Sequence, residues 1–225
     1  MRDFKMKTRF DVITIFLLGA VVGGALVLIS PYLILSLQGA ASRPLKNSSN
    51  AKPGAEPAHQ RGDANAIVTL EEFGDFECPP CARLHTEIKK VEAEYGTRVR
   101  VVFRHLPLAM HKRAQEAARA SEAAALQGRF WEMHDRLYES QEEWIEACDV
   151  RQMFTRYARD LGLDVERFAK DMDAESVKER IRLDQERADS IELAATPTIF
   201  VNGRQVSPAS LREGIEAALK DADKR

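Results

Sequence analysis

The chain has 225 residues, enough for one ordinary domain plus an appendage. Its 44% hydrophobic and 30% charged residues suit a globular protein with a real core. A net charge of -2 excludes the basic footprint of a nucleic-acid-binding protein, and three cysteines are too few for a disulfide scaffold.

The N-terminal segment has its own character. Val12 to Ser30 is a continuous apolar run, and Tyr32 to Leu37 extends it past Pro31. At about 1.5 Å rise per residue, the run to Ser30 covers about 28 Å, close to the hydrocarbon thickness of a bilayer. Arg2, Lys5, Lys7 and Arg9 precede it, and the positive-inside rule puts that end in the cytoplasm. The expected order is a cytoplasmic tail at 1–11, a transmembrane signal anchor at 12–37, a flexible linker at 38–62 and a domain at 63–225. That arrangement is a single-pass protein of the cytoplasmic (inner) membrane with its domain outside, in the periplasm. Gly39-Ala40-Ala41 also fits a small-residue cleavage rule, so a cleaved leader is the lesser alternative. The linker is rich in Ala, Ser, Asn, Pro and Gly and lacks apolar periodicity.

Ile67 to Phe73 reads as a strand, with Val68, Leu70 and Glu72 on one face. Gly74 and Asp75 end it. A helix then runs from near Cys78 to about Tyr95, with Leu84, Ile88 and Val91 inward and Gly96 as its C-cap. Val99 to Phe103 is a second strand, and a strand–helix–strand unit argues for parallel pairing. From about 108 to 195 the pattern is helical. Phe130, Met133, Leu137 and Tyr138 fall at helical spacing, and Asp149 and Asp164 read as N-caps. The sequence PTIFVN at 197–202 returns to strand, and Asn202-Gly203 is a hairpin turn. A last helix covers Ser207 to Lys220. The order is β-α-β, helical insert, β-β-α.

Cys78 and Cys81 lie one helical turn apart at the start of that first helix. A helix N-terminus favours a thiolate. Cys78, at the surface, is the expected attacking thiol, and Cys81, one turn in, the resolving thiol. A zinc half-site would need two more ligands at recognisable spacing, which Cys148 and the histidines do not provide. Hence no metal and no cofactor beyond a Cys78–Cys81 redox disulfide is expected. Cys148 reads as a small buried hydrophobe. Trp131 and Trp144 read as packing of the insert, and only His85, four residues after Cys81, has a position of interest.

The stretches EFGDFECPPC, RHLPL at 104–108, GRFWEMHDRLY at 128–138 and TPTIFVNG at 196–203 occur in an order that resembles the DsbA-like thioredoxin-fold thiol–disulfide oxidoreductases. The resemblance implies an α/β thioredoxin fold with a helical insertion at about 108–195. It implies a cis bond between Thr196 and Pro197, facing the sulfurs and lining the substrate-binding ledge. It implies that Glu72 is a buried acid relaying a proton to or from Cys81; alternation in the strand independently puts Glu72 on the apolar face. Cysteine-containing exported proteins would be the clients, and a membrane thiol oxidase or reductant carrier the redox partner. The motif dipeptide Pro79-Pro80 departs from the strongly oxidising relatives, which carry a histidine second. Pro80 supplies neither a charge nor a donor, and Glu77 adds a negative charge, so a less oxidising couple is expected. Arg83, Arg104 and His85 are the cations that could offset this. Three alternatives remain at this point: a reductase or isomerase; in a different class, a Cu(I) thiol metallochaperone; and a non-catalytic assembly factor on the membrane.

Overall fold

The computed structural model describes residues 43–44 and 51–224. The anchor expected at 12–37 lies outside them. Among the described residues no helix is long and apolar enough to cross a membrane.

The centre of the molecule is β3 (Val68–Gly74). It pairs in parallel with β4 (Val99–His105), Val68 opposite Val99 and Gly74 opposite His105. On its other side it pairs antiparallel with β5 (Thr198–Val201), which turns at Asn202-Gly203 into β6 (Arg204–Val206). Both turn residues have positive φ, 47° and 77°, which an Asn-Gly pair tolerates. The parallel crossover between β3 and β4 is α1 (Pro79–Tyr95), ended by Gly96 at φ 54°. Leu84, Ile88 and Val91 bury against Val68, Leu70 and Val101, as the periodicity predicts.

The helical insert contains α2 (Ala114–Ala125), α3 (Phe130–Glu139), α4 (Gln141–Ile145), α5 (Val150–Asp160), α6 (Val165–Asp171) and α7 (Glu175–Ser190). Asp149 and Asp164 do cap α5 and α6, accepting the N–H groups of Gln152 and Arg167. The alanine-rich face of α2 lets neighbouring helices approach closely, and Phe130, Met133, Leu137, Trp144 and Phe154 fill the space between them. The chain closes with α8 (Leu211–Ala222), which lays Leu211 and Ile215 on the sheet.

Two elements precede β3 that apolar periodicity does not reveal. β1 (Arg43–Pro44) pairs with β6, and β2 (His59–Arg61) pairs with β4, giving a six-stranded sheet in the order β1-β6-β5-β3-β4-β2. Residues 51–62, part of the stretch expected to be a flexible linker, are therefore docked on the domain. Specific polar contacts hold them. Arg61 forks onto Glu92 at 2.7 and 2.8 Å and onto Asp135 at 2.9 Å, and lies over the Trp131 ring. The His59 ring stacks on Phe130 with centroids 3.5 Å apart. Buried Asp184 on α7 accepts the Ala55 N–H at 2.9 Å, the His105 N–H at 3.0 Å and Arg104 at 3.2 Å.

Removing Asp184 leaves the buried Arg104 guanidinium and two backbone donors short of an acceptor. Asp184→Ala is expected to cost about 3–5 kcal/mol, read as a lower urea midpoint at unchanged m-value.

Candidate active site

Three pieces of chain converge at the C-terminal end of β3. The first is the turn 74–78. Gly74 is required there, because an added Cβ would lie 2.5 Å from Phe103 Cε2 and 2.7 Å from the Tyr138 hydroxyl. Asp75 is buried and organises the turn: its carboxylate accepts the Glu77 N–H at 2.8 Å and the Leu108 N–H at 2.8 Å, and its carbonyl accepts the Cys78 N–H at 3.1 Å. Cys78 is the extended N-cap residue of α1 and Pro79-Pro80 its first turn, where missing N–H groups cost least.

The second piece is the loop before β5. The Thr196–Pro197 bond is cis, and the Cys78 thiol donates to the Thr196 carbonyl at 3.4 Å. The third is the insert. Buried Gln141 on α4 donates from one Nε2 to the Phe76 carbonyl at 2.6 Å and the Cys78 carbonyl at 3.1 Å. The helical block thus holds the thiol turn directly.

Both thiols are free and both are buried, Cys78 at 5% exposure and Cys81 at 0%, so Cys78 does not stand at the surface as expected: the Thr196–Pro197 loop and Phe76 pack over the helix start. Cys81 is fully buried, and burial pushes its thiol far up. Cys78 is brought down to about 6, first by a hydrogen bond from Cys81 and then, against some desolvation, by Thr196; Asp75 opposes it. Glu72 is buried with Oε1 unpartnered, and burial pushes its carboxyl up to about 8, with Arg61 pulling it down and Cys78 pushing it up. Tyr138, buried in the same region with its hydroxyl unpartnered, is raised well above its usual value by burial and by the charge of Cys81.

Several residues stand elsewhere than expected. Glu77 does not direct its charge at the sulfur; its carboxylate accepts the Arg113 N–H at 2.5 Å. Arg104 is spent on Ala55, Glu71, Glu56 and Asp184, and His85 on Asp135. Arg83 is exposed on α1. Cys148 is exposed in the turn between α4 and α5, not buried, because the chain there leaves the insert core just ahead of the Asp149 cap. Trp144 is fully buried, with Nε1 donating to the Leu137 carbonyl at 2.7 Å; Trp131 packs at the edge and donates to Gln60.

Asp75, His111 and Gln141 escape a reading by sequence. Asp75 has a faint local signal, an Asx turn two residues before Glu77. His111 and Gln141 meet the turn from 36 and 63 residues away, and no spacing announces that.

Two clusters among the described residues bring one carboxylate and two imidazoles within reach of a single ion: His59, His105, Glu122, and His85, His134, Asp135. Arg180 already pairs with Glu122, and Arg61 and Lys89 with Asp135. These donor sets suit hydrogen-bonded ion pairs better than an added cation, and neither contains a sulfur.

Residues 55–221 match the thioredoxin family model. The chain belongs to the thioredoxin family. Its fold is similar to that of oxidised BdbD from Bacillus subtilis, 25% identical with a TM-score of 0.65, covering 80% of this chain and 98% of that one. It is also similar to DsbA2 from Pseudomonas aeruginosa, 27% identical with a TM-score of 0.57, covering 75% and 98%. This thioredoxin-family chain has a DsbA-like fold with its thiol pair at Cys78 and Cys81. A further relative is the protein named Na(+)/H(+) antiporter NhaA 1 of Mycolicibacterium gilvum (strain PYR-GCK), 46% identical over 169 residues, which are 72% of this chain and 27% of that protein. The chain spans about a quarter of the length of the curated relatives it matches.

The buried Glu72 links pH to stability. An acid whose folded pKa is raised stabilises the fold below its unfolded value and loses that contribution as pH rises through the folded one. The contribution of Glu72 is expected to be lost between about pH 4.5 and pH 8, against an opposite contribution from the lowered Cys78 thiol above about pH 6 in the reduced domain. The slope from Glu72 is at most about 1.4 kcal/mol per pH unit. Chemical denaturation across that range should show Glu72→Gln gaining stability relative to wild type as pH rises.

Proposed function

We propose that the chain is a membrane-anchored, extracytoplasmic oxidoreductase that introduces or exchanges disulfides in exported proteins through Cys78 and Cys81. The observation that carries this reading is the asymmetry of the pair. Cys78 is brought down to about 6 and touches the Thr196 carbonyl, while Cys81 is fully buried and raised. Exchange needs that division of labour. In the oxidised enzyme, a client thiolate attacks the Cys78 sulfur, and Cys81 leaves with the electron pair and takes up a proton. The second client thiolate then attacks the client sulfur of the mixed disulfide. Cys78 leaves as a thiolate, and the client is oxidised while the enzyme is reduced to the dithiol. Glu72 is the group that hands Cys81 its proton, and the Thr196–Pro197 loop offers backbone groups to an extended client. A membrane thiol oxidase re-oxidises the dithiol, or a reductant carrier drives the reverse direction.

The apolar run at 12–37 after four basic residues supports the anchor. Relatives named as Na(+)/H(+) antiporters fit a membrane setting. A groove of about 540 Å³ beside Pro79, between α1 and the α3–α4 corner, offers a client room on the flank of the motif helix.

Trapping with Cys81→Ala in the native host is expected to accumulate mixed disulfides with exported proteins. Their absence, with intact activity in a Cys78→Ser, Cys81→Ser double variant, would sink the assignment. Because Pro79-Pro80 provides no histidine, the couple is expected to be more reducing than about -120 mV, measured by equilibration with glutathione.

A further inference from the structure

We infer that His111 tunes the reactivity of Cys78 through Asp75: it is a positioning residue that supplies, from the loop after β4, the positive charge the Pro79-Pro80 dipeptide withholds. The inference rests on Cys78 being the attacking thiol.

Asp75 sits three residues before Cys78, fully buried, held by the Glu77 and Leu108 N–H groups. Its position is thus fixed beside the sulfur, where its charge disfavours the thiolate. His111 is the cationic partner of that carboxylate among the described residues, donating from Nδ1 to Oδ2 at 2.7 Å. One carboxylate oxygen, Oδ2, therefore joins the imidazole to the Leu108 N–H, and the other, Oδ1, holds the backbone that presents Cys78.

The surrounding charges agree. Partial burial works against a charged His111, but the bond to Asp75 and the charges of Asp75, Cys78 and Glu77 hold it above the usual imidazole range. Coupling between two ionising groups is reciprocal, so an imidazolium favoured by the Cys78 thiolate favours that thiolate in return. Two other cations stand in the same loop: Lys112 is exposed, and Arg113 directs its guanidinium to the Trp144 and Ala147 carbonyls at 2.8 and 2.6 Å. Its backbone N–H holds Glu77 aside. From the buried side the sulfur faces Cys81, Glu72 and Tyr138, none of which supplies a positive charge.

The test uses the reduced full chain in a Cys148→Ser background, which removes the exposed thiol. The alkylation rate of Cys78 with iodoacetamide is followed against pH, with thiolate ultraviolet absorbance alongside. His111→Gln keeps a donor toward Asp75 and loses the charge; its Cys78 midpoint is expected to rise by about one pH unit, cutting alkylation five- to tenfold, roughly, below the wild-type midpoint and leaving the alkaline plateau unchanged. His111→Lys should recover most of the wild-type profile. A His111→Gln profile that overlays wild type in a folded protein, or equal shifts in both variants, would overturn the inference. Imidazole proton resonances give a check without touching His111: its pKa should fall in Cys78→Ser, and an unchanged value contradicts the coupling. A wild-type Cys78 that titrates in the ordinary thiol range would instead remove the attacking-thiol assignment, and the inference with it.

Discussion

Two sulfurs one helical turn apart must take different parts, and much of this molecule is an arrangement for that. One must exchange with an outside thiol, and the other must resolve the mixed disulfide from within. The fold solves this with the start of α1. Cys78 sits at the helix cap beside the Thr196 carbonyl, with a small exposed edge, and Cys81 lies one turn in with none; both border a wall of aromatic rings. The wall belongs mostly to the insert. Phe76 packs on Phe103 and Tyr138 with centroids 5.3 and 4.9 Å away, and Gln141 grips the backbone on either side of Glu77. The helical block is therefore part of the site. It sets how deep the second thiol lies.

The buried polar groups follow from the same constraint. Glu72 is placed on the core face by strand alternation, near enough to the buried Cys81 for its charge to disfavour the Cys81 thiolate. Its carboxyl is buried with one oxygen unpartnered, a costly arrangement. Glu122, Asp135 and Asp184 are paired instead. Each collects imidazole, guanidinium or backbone donors from distant segments, and burial, which alone would raise Glu122 and Asp135, is outweighed by those partners. These three carboxylates tie the insert to the sheet and to the segment at 51–62, a task given elsewhere in the chain to leucine and phenylalanine.

Sequence disclosed whatever depends on period and local chemistry. The strand at Val68–Gly74, the helix bounded by Cys78 and Gly96, the Asn202-Gly203 hairpin and the caps at Asp149 and Asp164 follow from alternation, helical spacing and turn residues. Where polar contacts over long sequence separations decide, the letters are silent. His59 and Arg61 look like linker residues until Glu122, Glu92 and Asp135 are brought to them. Glu77 looks like a charge beside the sulfur until the Arg113 N–H turns it away. Composition recognises a core; it does not recognise a salt bridge whose halves are far apart in the chain.

The order β1-β6-β5-β3-β4-β2 has a bearing on solubility. An open sheet is exposed to self-association along its outermost strands, where unpaired N–H and C=O groups can seat a foreign chain. Here both rims are finished by fragments of the segment preceding β3, of two residues on one side and three on the other. One of them carries Pro44, which has no N–H to give. Among the described residues, rims that short leave little ladder for a neighbouring polypeptide to extend. Edges finished in this way keep the flanks of the sheet from holding a foreign chain, where capture would lead to aggregates.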